Sequence, residues 1–371
     1  MGETGRVICG REEIVDNIKK TQGGGNVSIC YTADVPSEYV GFLTVRLARS
    51  GFIVTERKFD GRFKKDVIDY LAPIDAVRMI IGAGDGLFAD VVAAAARAKK
   101  IKAVFIPTGY YSEGRETAAF FCGGGFEYYR LSPFEAVFAD GALLADAPPK
   151  VRAGAIGVYL ADVLGFFDGT LGNLILNGKF DESGVDAALK NYERALSDPT
   201  ALVCPQSYGR ALMSAALYNR INPSLGIGEA AFITAYAQVK LYKRFLENDG
   251  FDLSIPKDYG GFFDGLAKKY DADIVGVLKN LQPPSVGEYL KRAYVIDEYR
   301  GELLSLINKI DALLPRLLKS FRRMYRDAGF FLKDAVEGRD IIGALTAAAS
   351  LGGDFSLSRH IDETGAFDLW A

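Results

Sequence analysis

The chain has 371 residues, 49% of them hydrophobic and 25% charged, with a formal net charge of -3. That length exceeds one simple core and predicts two domains, while the small net charge leaves no electrostatic footprint for nucleic acid. No run of about 18 uninterrupted apolar residues offers a membrane span, and the N-terminal MGETGRVICGREEIVDN lacks the apolar centre of a secretory leader, so the expected setting is the cytoplasm.

The first elements alternate. Residues 1–25 form a mixed segment with a short helix expected at 11–20, before Gly23-Gly24-Gly25. NVSICY (26–31) reads as a buried strand, and Asp34 or Ser37 is a candidate cap for a helix over 38–50. Gly51 is placed to end that helix as a C′ glycine. FIVTERKF (52–59) is the next strand, and 64–71 is again helical.

Met79 to Gly114 is the stretch around which the rest is organised. An apolar run ends in Gly82-Ala83-Gly84-Asp85-Gly86, an alanine-rich helix covers about 87–99, and a second apolar run, 103–106, ends in Pro107-Thr108-Gly109. Glycines at a strand-to-helix corner let backbone approach a phosphate, and the helix behind them presents free N–H groups with positive dipole character. A tight turn that simply needs small residues has the same spacing, so both readings stand at this point.

Strand–helix alternation predicts a Rossmann-like parallel sheet with helices on both faces. Its right-handed crossovers bring the loops 32–37, 82–86 and 108–114 to one carboxyl edge, where such sheets bind ligands. A hairpin is expected around Cys122-Gly123-Gly124-Gly125 and FEYYRL, then a strand at 134–139 and a boundary at Pro148-Pro149. From Val151 the pattern is helical: 150–166, 183–196, 206–219, 228–247, 259–269, 286–293, 297–324 and 338–350. The expected architecture is therefore an α/β domain (1–149) and an all-α domain (150–371), with a small-molecule ligand in the cleft between them.

Cys9, Cys30, Cys122 and Cys204 show no paired spacing and read as free thiols, not as a zinc knuckle or redox pair. The single histidine, His360, rules out a His-rich metal site.

Three motifs, in order, resemble the superfamily of dehydroquinate synthase, glycerol dehydrogenase and iron-containing alcohol dehydrogenase, with the glycerol-1-phosphate dehydrogenase branch most similar. They are Gly82-Ala83-Gly84-Asp85-Gly86-Leu87-Phe88-Ala89-Asp90, then Pro107-Thr108-Gly109-Tyr110-Tyr111-Ser112-Glu113-Gly114, then Phe138-Ala139-Asp140-Gly141-Ala142-Leu143-Leu144-Ala145-Asp146-Ala147-Pro148. The resemblance covers nearly the whole chain. It implies a dehydroquinate synthase-like fold and an NAD(P) site at Gly82, Gly84, Asp85, Gly86, Asp90 and Thr108.

The departures bear on chemistry. The resemblance implies a divalent metal held by one carboxylate and two histidines, but Val158, Gln206 and Ile227 stand at those places, and Asp162 replaces a lysine. Family members use the ion as a Lewis acid on an alcohol oxygen. No metal is therefore expected here. Asp85 sits at a glycine position, where its carboxylate would repel a pyrophosphate; the alternative is a cap on the following helix.

Glu113, Asp140, Asp162 and Arg210 are candidate substrate contacts, with solvation the competing reading for the loop carboxylates. Tyr159, Asp162, Gln206, Arg210 and Glu229 are expected around the emptied metal position, where Arg210 and Glu229 could pair or Arg210 could hold an anion. Arg62, Lys64 and Lys65 face either a phosphate or solvent. Three functions follow. The first is a divergent dehydroquinate synthase- or polyol dehydrogenase-like protein that binds NAD(P) or a phosphorylated small molecule without the metal and, if active, works as an NAD(P)-dependent oxidoreductase or a synthase-like lyase. The second is a non-catalytic binding or scaffold paralogue, and the third a phosphosugar-binding module. No membrane or nucleic-acid partner is expected, and a homodimer is an open arrangement.

Overall fold

The structure is a computed structural model. It describes residues 5–59, 77–84, 86–109, 117–122, 125–197, 214–215, 217–218, 225–248, 285–327, 341, 344–345, 348 and 356–364. The chain divides into two compact units, one of residues 1–122, 127–152 and 194–206, the other of 123–126, 153–193 and 207–371.

The first unit is built on β1 (Gly5–Cys9), β2 (Gly25–Thr32), β3 (Phe52–Phe59), β4 (Met79–Gly84), β5 (Lys102–Pro107) and β8 (Ala136–Asp140). They form one six-stranded sheet in the order β1-β8-β5-β4-β2-β3, with parallel pairing throughout. Helices α1 (Arg11–Gln22), α2 (Ser37–Arg49) and α3 (Gly86–Lys99) connect the strands, and β6 (Thr117–Cys122) pairs with β7 (Gly125–Arg130) in a separate two-stranded sheet. β1 is a strand that the mixed composition of residues 1–25 does not announce.

Side chains alternate across the sheet with the strand period of two. Val27, Ile29, Met79, Ile81, Val104 and Ile106 pack with Ile14 and Ile18 of α1 and Leu43 and Leu47 of α2. Cys30, Ile80, Phe105 and Val137 pack on the other face with Phe88, Val91 and Val92 of α3. Burial on both faces explains why β4 reads as an unbroken apolar run, all six residues being buried. β3 lies at an edge, and its Glu56, Arg57 and Lys58 guard that edge against further pairing. Cys30 is a buried free thiol, pushed up to about 11 by its burial.

Helix ends follow local chemistry. Gly23, at φ 77°, closes α1 through an N–H donated to Lys19 O at 2.7 Å. Gly51, at φ 91°, lies just beyond α2 and donates to Ala48 O at 3.0 Å, the place expected of a C′ glycine. The expected cap of α2 is not made. Pro36 is the N-cap residue, with no side-chain bond, and Ser37 is already helical.

In the rest of the chain α4 (Gly141–Ala145) and α5 (Pro149–Asn177) are followed by α6 (Ser183–Ser197), α7 (Ile227–Glu247), α8 (Val286–Glu298), α9 (Arg300–Asp311), α10 (Leu314–Asp327) and α11 (Leu357–Glu363). α5 runs beyond the expected end at 166, because Phe167, Leu171 and Leu174 bury their side chains and override the glycines at 169 and 172. By length and composition α5 is apolar enough to cross a membrane, with mean hydropathy 1.3 over its best window, but 78% of that window is buried inside the protein. It is a core helix. The single helix expected over 297–324 is broken at Tyr299 and at Ala312-Leu313, with Pro315 in the first turn of α10, where its missing N–H costs nothing. The helices expected at 64–71 and 259–269 lie outside the described residues, as does most of those at 206–219 and 338–350.

α11 is fastened by a buried polar network. Asp168 of α5 accepts hydrogen bonds from the Tyr242 hydroxyl at 3.0 and 3.1 Å and from the Leu357 N–H at 3.1 Å. Gln238 Nε2 and the Ser358 N–H donate to the Tyr242 oxygen at 2.6 and 3.1 Å. His360 is fully buried, stacked on Tyr289 at 5.3 Å, and burial, reinforced by Arg292, pushes its pKa down to about 3.

Candidate functional site

The chain leaves β2 through α2 toward the outer strand β3, but leaves β4 through α3 toward β5 on the other side. Adjacent strands β2 and β4 are therefore the topological switch point, where the following segments diverge and open a crevice at the carboxyl edge. Register places the strand ends at one level, with Tyr31 opposite Ala83 and Gly84 opposite Pro107. Thr32, Gly84 and Thr108 thus meet at one edge, as the strand–helix alternation predicts.

Two of the glycines are demanded by packing. A Cβ on Gly82 would lie 2.8 Å from the Phe105 ring and 2.9 Å from Val92, so its absence lets α3 settle on β4. A Cβ on Gly84 would lie 2.5 Å from Thr32 Oγ1 and 3.0 Å from the Phe88 ring. Gly86 opens α3, and Asp90, one turn further, is buried. Asp85 and Glu113 lie outside the described residues.

Thr108 is 1% exposed and doubly tied. Its N–H donates to Gly84 O at 2.8 Å, and its hydroxyl donates to Asp34 Oδ2 at 2.5 Å. Asp34, a cap candidate from its sequence position, instead bridges the loop after β2 to the end of β5. Asp140 ends β8 and caps α4, its Oδ1 accepting from the N–H groups of Ala142 and Leu143 at 2.9 and 3.2 Å. Thr32 and Asp34 are the edge residues that motif matching passed over. Their signal was positional, since Thr32 ends β2 and Asp34 lies two residues beyond it.

In the second unit, Val158 and Asp162 lie one helical turn apart on α5, and both are buried. Tyr159 meets Tyr192 edge-on at 5.9 Å. Ile227 begins α7, and Glu229, at its third position, reaches back to accept from the Gly226 N–H, the one half of a capping box that a glycine N-cap allows. Close contact of the two helices sets these positions side by side. A Cβ on Gly228 would lie 2.5 Å from Gly154 Cα and 2.6 Å from Gly154 O. Gln206 and Arg210 lie outside the described residues, and with them the Arg210–Glu229 pairing. Valine and isoleucine side chains carry no lone pair, so two of the three positions do not fit a divalent ion. Among the described residues no three His, Cys, Asp or Glu side chains converge as a metal would require.

A doubly wound parallel sheet with a glycine turn at its switch point, joined to a helical unit, defines a Rossmann-like two-part α/β-plus-α protein. No family model and no curated protein matches the chain. Solved structures do. A 1,3-propanediol oxidoreductase aligns with TM-score 0.58 and 12% identity, over 99% of this chain and 98% of its own. An iron-containing alcohol dehydrogenase from Thermotoga maritima aligns with TM-score 0.52 and 12% identity, over 100% and 99%. An NADH-dependent butanol dehydrogenase A, also from Thermotoga maritima, aligns with TM-score 0.50 and 13% identity, over 94% and 98%. The chain has the fold of the iron-containing alcohol dehydrogenases, the superfamily its motifs resemble.

Proposed function

We propose that this protein is a dehydrogenase-like nucleotide binder that holds NAD(P), or a phosphorylated small molecule, over the carboxyl edge of its sheet and works without the family metal. The observation that carries the reading is the β2/β4 switch point, with Gly84 ending β4 two residues before the first residue of α3. Backbone N–H groups and the dipole at the start of α3 supply an anion site there without a cationic side chain. One structural relative is NADH-dependent, which supports a dinucleotide. Loss of the metal is proposed from Val158 and Ile227. No step is therefore assigned to a Lewis acid.

Isothermal titration with NAD(H) and NADP(H) tests the binding; no heat at millimolar ligand would sink it. Metal analysis of the purified protein tests the second part, where stoichiometric zinc, nickel or iron is the overturning result. Val158 and Ile227 also favour a second reading, a non-catalytic binding or scaffold protein. Reproducible turnover of a polyol, ketone or sugar phosphate, lost in a sheet-edge variant, excludes that reading. We further propose a cytoplasmic setting and a small-molecule ligand, with neither nucleic acid nor membrane as partner and with a homodimer as the arrangement to test.

A further inference from the structure

Two threonines stand at the carboxyl edge, and they are not equivalent. The Thr108 hydroxyl is committed to Asp34 Oδ2 at 2.5 Å. The Thr32 hydroxyl is buried, in a residue only 8% exposed, and has no hydrogen-bond partner among the described residues. Register sets Thr32 beside Gly84, since Tyr31 lies opposite Ala83. The hydroxyl also points at the glycine, for a Cβ on Gly84 would come within 2.5 Å of it. A buried hydroxyl left unpaired weakens the fold, so it needs a reason. The place of this one supplies a reason, at the switch point and beside Gly84, two residues before the 14-residue helix α3 begins.

We infer that Thr32 is the side-chain donor of the phosphate site, giving its hydroxyl proton to a phosphate oxygen seated over Gly84 against the start of α3. This rests on the nucleotide reading above and adds to it. The threonine nominated by motif, Thr108, organises the edge through Asp34, and Thr32 contacts the anion. Backbone N–H groups carry no selectivity for a side chain, so Thr32 is the group whose removal reports on the phosphate.

Thr32→Val keeps the shape and deletes the hydroxyl. Wild type and variant are titrated with NADH, inorganic pyrophosphate and adenosine, and their urea midpoints are compared. The variant is expected to bind NADH and pyrophosphate about tenfold more weakly, the worth of one hydrogen bond to a charged acceptor. Its urea midpoint is expected to stay level or rise, because an unpaired buried hydroxyl is gone. Adenosine, which has no phosphate, should not distinguish the two proteins. Thr32→Ser should bind as wild type, and if the valine variant does not fold, Thr32→Ser against Thr32→Ala makes the same comparison. Equal binding of NADH and pyrophosphate by wild type and Thr32→Val overturns the role of Thr32 alone. An equal loss for adenosine also overturns it, since the hydroxyl would then serve the nucleoside. Failure of wild type to bind either phosphate ligand overturns the nucleotide reading itself.

Discussion

Gly157→Ala is the substitution that probes most directly how the helical unit is held. Gly157 lies on α5, next to Val158, against the start of α7. A Cβ there would come 2.6 Å from the backbone nitrogen of Phe232 and 3.0 Å from its Cβ, and it would overlap the carbonyl oxygen of Gly228. All the offending atoms are backbone or Cβ, so no side-chain rotation relieves the contact, and the helices must part. A gap of roughly 0.5–1 Å already forfeits a quarter to a half of each dispersion contact it opens. Overpacking of this kind costs about 1–3 kcal/mol, set against about 1 kcal/mol that alanine gains over glycine in a helix. With rigid backbone on both sides the upper end applies, giving a net loss of about 2 kcal/mol. Gly169→Ala, on the same helix, is the control. Gly169 is exposed, and a Cβ there meets nothing within 4 Å, so that variant should gain about 0.5–1 kcal/mol from propensity alone. Urea denaturation reads both as shifts of midpoint at constant slope. A Gly157→Ala protein as stable as wild type would refute the close approach of α5 and α7. Equal destabilisation by both substitutions would refute packing as its cause.

Asp140→Ala should cost about 1 kcal/mol by removing the cap of α4, while Asp140→Asn, which keeps a capping oxygen, should stay near wild type in the same denaturation assay. His360 is held neutral by burial, its pKa lowered from 6.5 to about 3. The unfolded chain therefore binds a proton that the folded chain refuses, and stability falls as pH drops through the window from 6.5 to about 3. The slope from this group approaches about 1.4 kcal/mol per pH unit within the window, and His360→Phe should flatten the profile there by that amount. An unchanged profile would show that the histidine is not buried as found.

The strands and the first helices were legible because their burial is simple. A central parallel strand covered on both faces reads as an apolar run, as at 79–84, and an amphipathic helix between turn glycines reads by its period, as at 11–22 and 37–49. β1 was not legible, since the five residues GRVIC beside charged neighbours carry too little pattern. The end of α5 was misplaced for the opposite reason. Its glycines signal a stop, and only packing of Phe167, Leu171 and Leu174 says otherwise. At the site, the glycine turn and Thr108 were found by motif. The partnership of Thr108 with Asp34 was not, because 74 positions separate the two and only sheet register brings them together.

Residue identity alone decided which chemistry is available. With one histidine in 371 residues, and Val158 and Ile227 where the resemblance calls for ligands, no fold can assemble the family's metal donors. That conclusion needs no coordinates, since side-chain lone pairs are a property of composition. Tertiary structure decided which of the available groups are engaged. Hydrogen bonding is a matter of a few tenths of an ångström, so Asp34 became a bridge to Thr108 only once strands distant in sequence came into register, whereas Asp140 and Glu229 are spent locally, on helix starts two or three residues away. The same geometry left Thr32 beside Gly84 with a buried hydroxyl that has no partner among the described residues.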